Sequence, residues 1–170
     1  VSPTGDNTVE DDETFTVTLG AVTSTYANVT ASATPRTGTI TNDDAAEFSI
    51  LQDESGAEND GPLTFTINLS NPVDEATSVT VSTWDETAQA GNDYTALVEQ
   101  VIPFAAGQTS ATFQVSLTGD DTVEGDETFT VALGAVTGGY GSRSGAGRAG
   151  QGGSSRWSAC HYNIRHGEAR

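Results

Sequence analysis

The sequence predicts an all-β chain folded as an antiparallel sandwich, and three observations carry that prediction. Apolar and polar residues alternate at period two through most of residues 1–137, the pattern of strands with one buried face. Turn signals of Gly, Asn, Asp and Pro recur about every 8 to 12 residues, the spacing of short sandwich strands. No stretch places apolar residues at helical spacing for long enough to form a packed helix.

Taken in order, the first alternating run is Phe15, Val17 and Leu19, with Thr between them. Residues 47–51 begin a second series. In it Leu63, Phe65, Ile67 and Leu69 alternate with Thr64, Thr66 and Asn68, and residues 78–84 and 98–104 follow. Phe113, Val115 and Leu117 then alternate with Gln114 and Ser116, and Phe129, Val131 and Leu133 close the series. Residues 45–137 thus hold six predicted strands, inside which Trp84 and Tyr94 are expected to pack.

The chain repeats itself at an offset of 114 residues. Residues 1–23 align with residues 115–137 at 19 of 23 positions, the exceptions being Pro3/Leu117, Asn7/Asp121, Asp11/Gly125 and Thr18/Ala132. Three segments follow from this register. Residues 1–44 read as the last part of one repeat, 45–137 as a nearly complete second repeat lacking its last strand, and 138–170 as a Gly/Arg/Ser-rich, disordered tail. At the fixed offset Arg156, Trp157 and Ser158 stand where Asn42, Asp43 and Asp44 would recur. The second repeat is therefore expected to present an open edge beside the Phe129 strand. Residues 37–41 are an alternative partner for that edge.

Charge divides the chain at the same place. The 170 residues carry 24 Asp plus Glu against six Arg and no Lys, net -18. Residues 1–140 account for -22, with Arg36 as their one base, and residues 141–170 for +4. Such acidity excludes nucleic acid as a partner. One Cys excludes an internal disulfide framework and a cysteine-based zinc site. No signal-peptide pattern and no apolar run near the ~20 residues of a membrane span occurs in this segment, and the lack of Met predicts a piece of a longer chain.

The acids that survive between the two copies lie in hairpin corners. Asp120, Asp121, Glu124 and Glu127 lead into the Phe129 strand, and Asp6, Glu10 and Glu13 repeat the arrangement before Phe15. Two unit charges ~4 Å apart repel by about 4 kcal/mol at an effective dielectric of 20, so a folded corner of this kind favours a bound cation. Carboxylate and carbonyl oxygens suit Ca2+, which accepts 6 to 8 of them in flexible geometry. General surface acidity would not keep particular acids while Asn7/Asp121 and Asp11/Gly125 exchange. An EF-hand is excluded, because a loop begun at Asp120 has Val131 where its twelfth-position Glu is required. Cys160, His161 and His166 lie in a segment with nothing to hold them as a catalytic or metal-binding group.

Several motifs in order resemble the Calx-beta repeat: Gly119-Asp120-Asp121 with Glu124, Asp126, Glu127, Thr128 and Phe129; Ala90-Gly91-Asn92-Asp93-Tyr94; the turn at residues 102–109; and Thr39-Ile40-Thr41-Asn42-Asp43-Asp44. The resemblance covers residues 1–137 and implies an immunoglobulin-like sandwich with a calcium site built by loops at one end. Its ligands here would be Glu54, Asp93, Asp120, Asp121, the carbonyl of Thr122, Glu124 and Glu127 in the second copy. In the first copy they would be Asp6, Glu10 and Glu13 with Asp43 and Asp44 after the last strand. Neither set is whole, which implies weak affinity, ~10⁻⁴ to 10⁻³ M.

The function this implies is a non-enzymatic, calcium-binding structural module of a secreted or cell-surface repeat protein. Its role would lie in cell adhesion and communication, with neighbouring repeats and cell-surface or matrix ligands as partners. A calcium-sensing regulatory domain of a sodium/calcium-exchanger-type transporter, or an accessory module of a secreted hydrolase, are the alternatives.

Overall fold

Residues 2–138 and 159–165 are described by the computed structural model of the chain, and they form ten strands. These are β1 (Glu13–Val17), β2 (Arg36–Ile40), β3 (Phe48–Ile50), β4 (Ser55–Ala57), β5 (Leu63–Leu69), β6 (Thr77–Asp85), β7 (Gln100–Phe104), β8 (Ser110–Val115), β9 (Glu127–Gly138) and β10 (Ala159–Arg165). They assemble into a five-stranded sheet in the order β4-β10-β9-β6-β7, a three-stranded sheet β3-β5-β8, and a separate pair β1-β2. Every pairing is antiparallel except β10 with β4. No helix occurs among the described residues, so none is long and apolar enough to cross a membrane.

The two larger sheets bury their inward faces against each other. On β5, Leu63, Phe65, Ile67 and Leu69 are buried while Thr64 is exposed, the alternation that period two dictates. Facing residues of β6, β7, β8 and β9 complete the interior, with Val79, Val81, Phe104, Val115, Phe129 and Val131 all at 1% exposure or less. Ring contacts fill the interior: Phe48 of one sheet meets Phe104 of the other edge to face at 5.0 Å, Phe65 stacks on its cross-strand partner Phe113 at 5.2 Å, and Tyr94 stacks on Phe129 at 4.5 Å. Trp84 departs from expectation, being 62% exposed. The reason is parity: Thr77, Val79 and Val81 point inward on β6, so Trp84 falls on the outward face.

A β-bulge interrupts the β6–β9 ladder. Between β6 and β9 the register runs Val79↔Val136 and then Val81↔Leu133, so three steps on β9 oppose two on β6. Val131, Ala132 and Leu133, just before the bulge, are all buried, and Gly134 within it passes so close to Thr80 that an added Cβ would lie 2.5 Å from its Oγ1.

The chain at Ala159–Arg165 also departs from expectation. Instead of an open edge and a tail without regular structure, β10 lies between β9 and β4. Ile164 stands opposite Glu127 and Tyr162 opposite Phe129, as Ile40 stands opposite Glu13 and Gly38 opposite Phe15 in the first copy. The cause is a local alternation, Cys160, Tyr162 and Ile164 with His161 and Asn163, inside a segment whose overall composition reads as disordered. Since 164 − 40 is 124 while 127 − 13 is 114, this last strand comes ten residues later than the repeat offset requires. The rest of the expected tail, 139–158 and 166–170, lies outside the described residues. The strand at 36–40 pairs with β1 and not with the second repeat.

Candidate metal centre

Asp93 is positioned by a turn that its own side chain closes. The Gln89 amide donates to Asp93 Oδ2 at 2.6 Å, and the amides of Asn92 and Asp93 donate to the Gln89 carbonyl at 3.1 and 3.0 Å. Gly91 adopts φ 93°, a left-handed conformation that favours Gly, and its amide donates to the Tyr94 carbonyl at 2.8 Å. The turn is anchored from below: the Tyr94 hydroxyl donates to Asp85 Oδ1 at 2.6 Å, and the Ala90 amide donates to the same oxygen at 2.9 Å. These two bonds hold the Asp85 carboxyl below its ordinary pKa, while burial and the Asp85 acceptor push the Tyr94 phenol well above its own.

The stacked rings of Tyr94 and Phe129 bring this turn to the start of β9. Two residues before Phe129, Glu127 has a carboxylate oxygen, Oε2, buried from solvent. Carboxylate atoms of Asp93, Glu124 and Glu127 all lie within 4.8 Å of one another. All three are among the residues expected to bind metal. Asp120 and Asp121 are exposed and Glu54 half-buried, and none of them belongs to that group. Asp120 Oδ1 instead accepts the Thr122 amide at 2.6 Å, closing the corner on itself, and Glu54 accepts from Gln52 Nε2 at 2.6 Å.

In the first copy, all five expected acids line one cleft of about 360 Å³: Asp6, Glu10, Glu13, Asp43 and Asp44. Asp6 Oδ1 accepts the Thr8 amide at 2.7 Å, the same turn that Asp120 makes with Thr122. Asn42 joins the two sides of the cleft. Its Oδ1 accepts the Glu10 amide at 3.2 Å, its amide donates to Asp12 Oδ1 at 3.0 Å, and its Nδ2 donates to the Asp44 carbonyl at 3.0 Å. Glu10 has its carboxyl raised above the ordinary value by burial first, then by Asp6, Glu13, Asp74 and Asp44. Asp74 of the second repeat acts on Glu10, though it does not line the cleft, because Val9 and Val73 form a parallel bridge, with Val9 N to Pro72 O at 2.9 Å and Asp74 N to Val9 O at 3.1 Å.

Sequence reasoning passed over Asp74, and also Glu58, a buried acid in the turn after β4. Glu-Asn-Asp-Gly at 58–61 carries only a turn signal, and nothing in it marks the first acid as the inward one. The donor set at both ends consists of carboxylate, amide and carbonyl oxygens without His or Cys, which fits a hard divalent cation.

The Calx-beta domain model matches residues 1–46 and again 41–144. Among solved structures, the chain is similar to one described as the calcium binding domain CBD12 of CALX1.1, with 21% identity and a TM-score of 0.56, over 71% of this chain and 45% of that one. It is also similar to the apo-form Calx CBD1 domain, with 20% identity and a TM-score of 0.57, over 72% of this chain and 98% of that one. At these identities the likeness is one of fold, and the chain spans less than half the length of CBD12. A search of curated proteins finds no match.

Proposed function

Since the chain belongs to the Calx-beta domain family, we propose that it is a calcium-binding structural module, with ions held at the cleft of the first copy and at the Asp93, Glu124 and Glu127 cluster of the second. The observation that carries this reading is the gathering of carboxylates at the same corner of both copies. At the first, Glu10 titrates high, by burial first and then because its acidic neighbours repel its charge. A divalent cation would remove that penalty, so ion binding and folding of the corner reinforce each other. The similar CBD12 structure carries calcium binding in its description, which supports the same assignment.

The first-copy cleft also stands at the junction between repeats. Asn42, Asp43 and Asp44 lead within four residues to β3 of the second repeat, and Asp74 of that repeat faces Glu10. Calcium here would stiffen the junction, and its removal would return the repulsion to the hinge. This suits a load-bearing array in a secreted or cell-surface adhesion protein. A regulatory calcium domain of an exchanger is the second reading, favoured by the likeness to CBD12. Flanking sequence separates the two: further repeats support the array, transmembrane spans the exchanger.

The test is calorimetric titration and thermal melting of the full chain with calcium. At calcium about 100 times its dissociation constant, stabilisation of about 2.7 kcal/mol is expected. Glu10→Gln should remove the first-copy response and Glu124→Gln the second. A melting temperature unmoved by millimolar calcium would sink the proposal.

A further inference from the structure

The sheet position between β4 and β9 is built for a strand that the first copy also carries. β1 and the start of β9 present the same five residues, Glu-Thr-Phe-Thr-Val, at Glu13–Val17 and at 127–131. β2 runs antiparallel to β1 with Ile40 opposite Glu13, and β10 runs antiparallel to β9 with Ile164 opposite Glu127. β2 and β10 are therefore two answers to one edge, in one direction and one register. Main-chain pairing of this kind tolerates different side chains, because the ladder bonds supply much of the affinity.

The two seats differ in what they offer. β2 has a single strand neighbour, β1, whereas β10 has two, β9 and β4. A β2 strand in the second seat would pair both of its edges instead of one. Its residues also fall in register: Gly38 would come opposite Phe129, where the interior is already filled by the Phe129 and Tyr94 stack, and Ile40 would come opposite Glu127.

We propose that the β4–β9 groove is a strand-exchange site, in which β2 of a second copy of this chain replaces β10 in the same register. The contact is head to tail, so each copy donates β2 and accepts another, and the assembly can extend beyond a dimer. Asn42, Asp43 and Asp44 follow β2 after Thr41, so exchange would carry two further carboxylates to the start of β9 beside Glu124 and Glu127. That last consequence rests on the calcium reading above, whereas the strand pairing does not.

The experiment uses the full chain with Thr37→Cys, Thr130→Cys and Cys160→Ser. Thr130 pairs with His161 of β10, and Thr37 holds the matching position on β2 opposite Thr16. Oxidation in EDTA should give an intermolecular 37–130 disulfide, identified by mass spectrometry. No such bond overturns the exchange, and an internal 37–130 bond overturns the second copy as occupant. A fluorescent peptide of residues 34–46, titrated against the unaltered chain and against Ile164→Pro, keeps the test independent of how the cysteine variant folds. Pro breaks the β10 ladder, so the peptide should bind Ile164→Pro about tenfold tighter. If the cysteine variant fails to fold, absence of saturable binding to both chains overturns the proposal. Calcium at about ten times its dissociation constant should raise the exchange equilibrium constant roughly tenfold, and with it the disulfide yield. A disulfide yield indifferent to calcium overturns the completed metal site while leaving the pairing in place.

Discussion

The pentapeptide Glu-Thr-Phe-Thr-Val occurs at Glu13–Val17 and again at 127–131, and the two copies meet different surroundings. In the second, Phe129 and Val131 are 0% exposed; in the first, Val17 is 49% exposed and Phe15 only half-buried. Strand formation and register are nonetheless the same, since each copy pairs antiparallel with a strand that places an Ile opposite its Glu. The acidic corner before each copy is also the same, with Asp6 accepting the Thr8 amide and Asp120 the Thr122 amide. Strand and corner are thus local properties of the sequence, while the core is a property of what lies opposite. For Phe129 that is the ring of Tyr94 and the facing sheet of β3, β5 and β8; β1 has only β2.

Truncating the same aromatic in each copy breaks this comparison most directly. Phe129→Ala removes a fully buried ring and should cost about 3–5 kcal/mol, whereas Phe15→Ala, on the two-stranded pair, should cost about 1 kcal/mol or less. Urea unfolding of both variants measures the difference. Equal losses would mean that the first copy is packed in solution as the second is, and the contrast between them would fall.

A smaller effect sharpens the comparison at the metal centre. Tyr94→Phe keeps the stack on Phe129 but loses the hydroxyl bond to Asp85. Hydrogen bonds to charged groups are stronger than neutral ones, so a measurable destabilisation is expected, reduced by solvent at the exposed Asp85 side of the pair. Because that bond anchors the turn carrying Asp93, calcium response at the second cluster should weaken while the first-copy cleft keeps its own. Separate titrations in Glu10→Gln and Glu124→Gln backgrounds resolve the two. An equal loss at both ends would show that Tyr94 acts on the whole sandwich and not on the turn.

What the sequence made legible follows from whether the signal was local. Alternation located β5, β6, β7, β8 and β9, because one face of each is buried and the period is two. β4 escaped, since Ser55, Gly56 and Ala57 are small and without contrast, and a neighbour rather than an intrinsic preference makes them a strand. β10 escaped because five alternating residues were outweighed by a Gly/Arg-rich context. The bulge between Leu133 and Val136 was hidden for a different reason: it shows only once β6 supplies the opposing register. At the candidate site, the acids of the corners could be read from the repeat, whereas Asp93 came only through family resemblance. Asp74 could not be read at all, because its place beside Glu10 depends on the Val9–Val73 bridge between repeats.

The smallest expected effect separates the two ends by the sign of their pH dependence. Glu10 has a folded-state pKa raised above its ordinary 4.5, by burial and then by Asp6 and its other acidic neighbours. Its protonated form is favoured by folding, so its contribution to stability is full below pH 4.5 and is lost as pH rises through the raised value. Asp85 is the opposite case: its pKa is lowered from 3.8, chiefly by the Tyr94 hydroxyl and then by the Ala90 amide. Its contribution is present above pH 3.8 and is lost as pH falls through the lowered value. Without calcium, acidification from neutrality toward pH 4.5 should therefore tighten the first-copy corner before further acidification loosens the second repeat. Amide exchange at Thr8 and Glu10, compared with Ala90 and Tyr94, reads the two ends separately. Glu10→Gln should abolish the first change and leave the second, and calcium should mask the first by neutralising the same repulsion. If Thr8 and Glu10 were instead to lose protection on mild acidification, the crowding of carboxylates around Glu10 would not be what governs that corner.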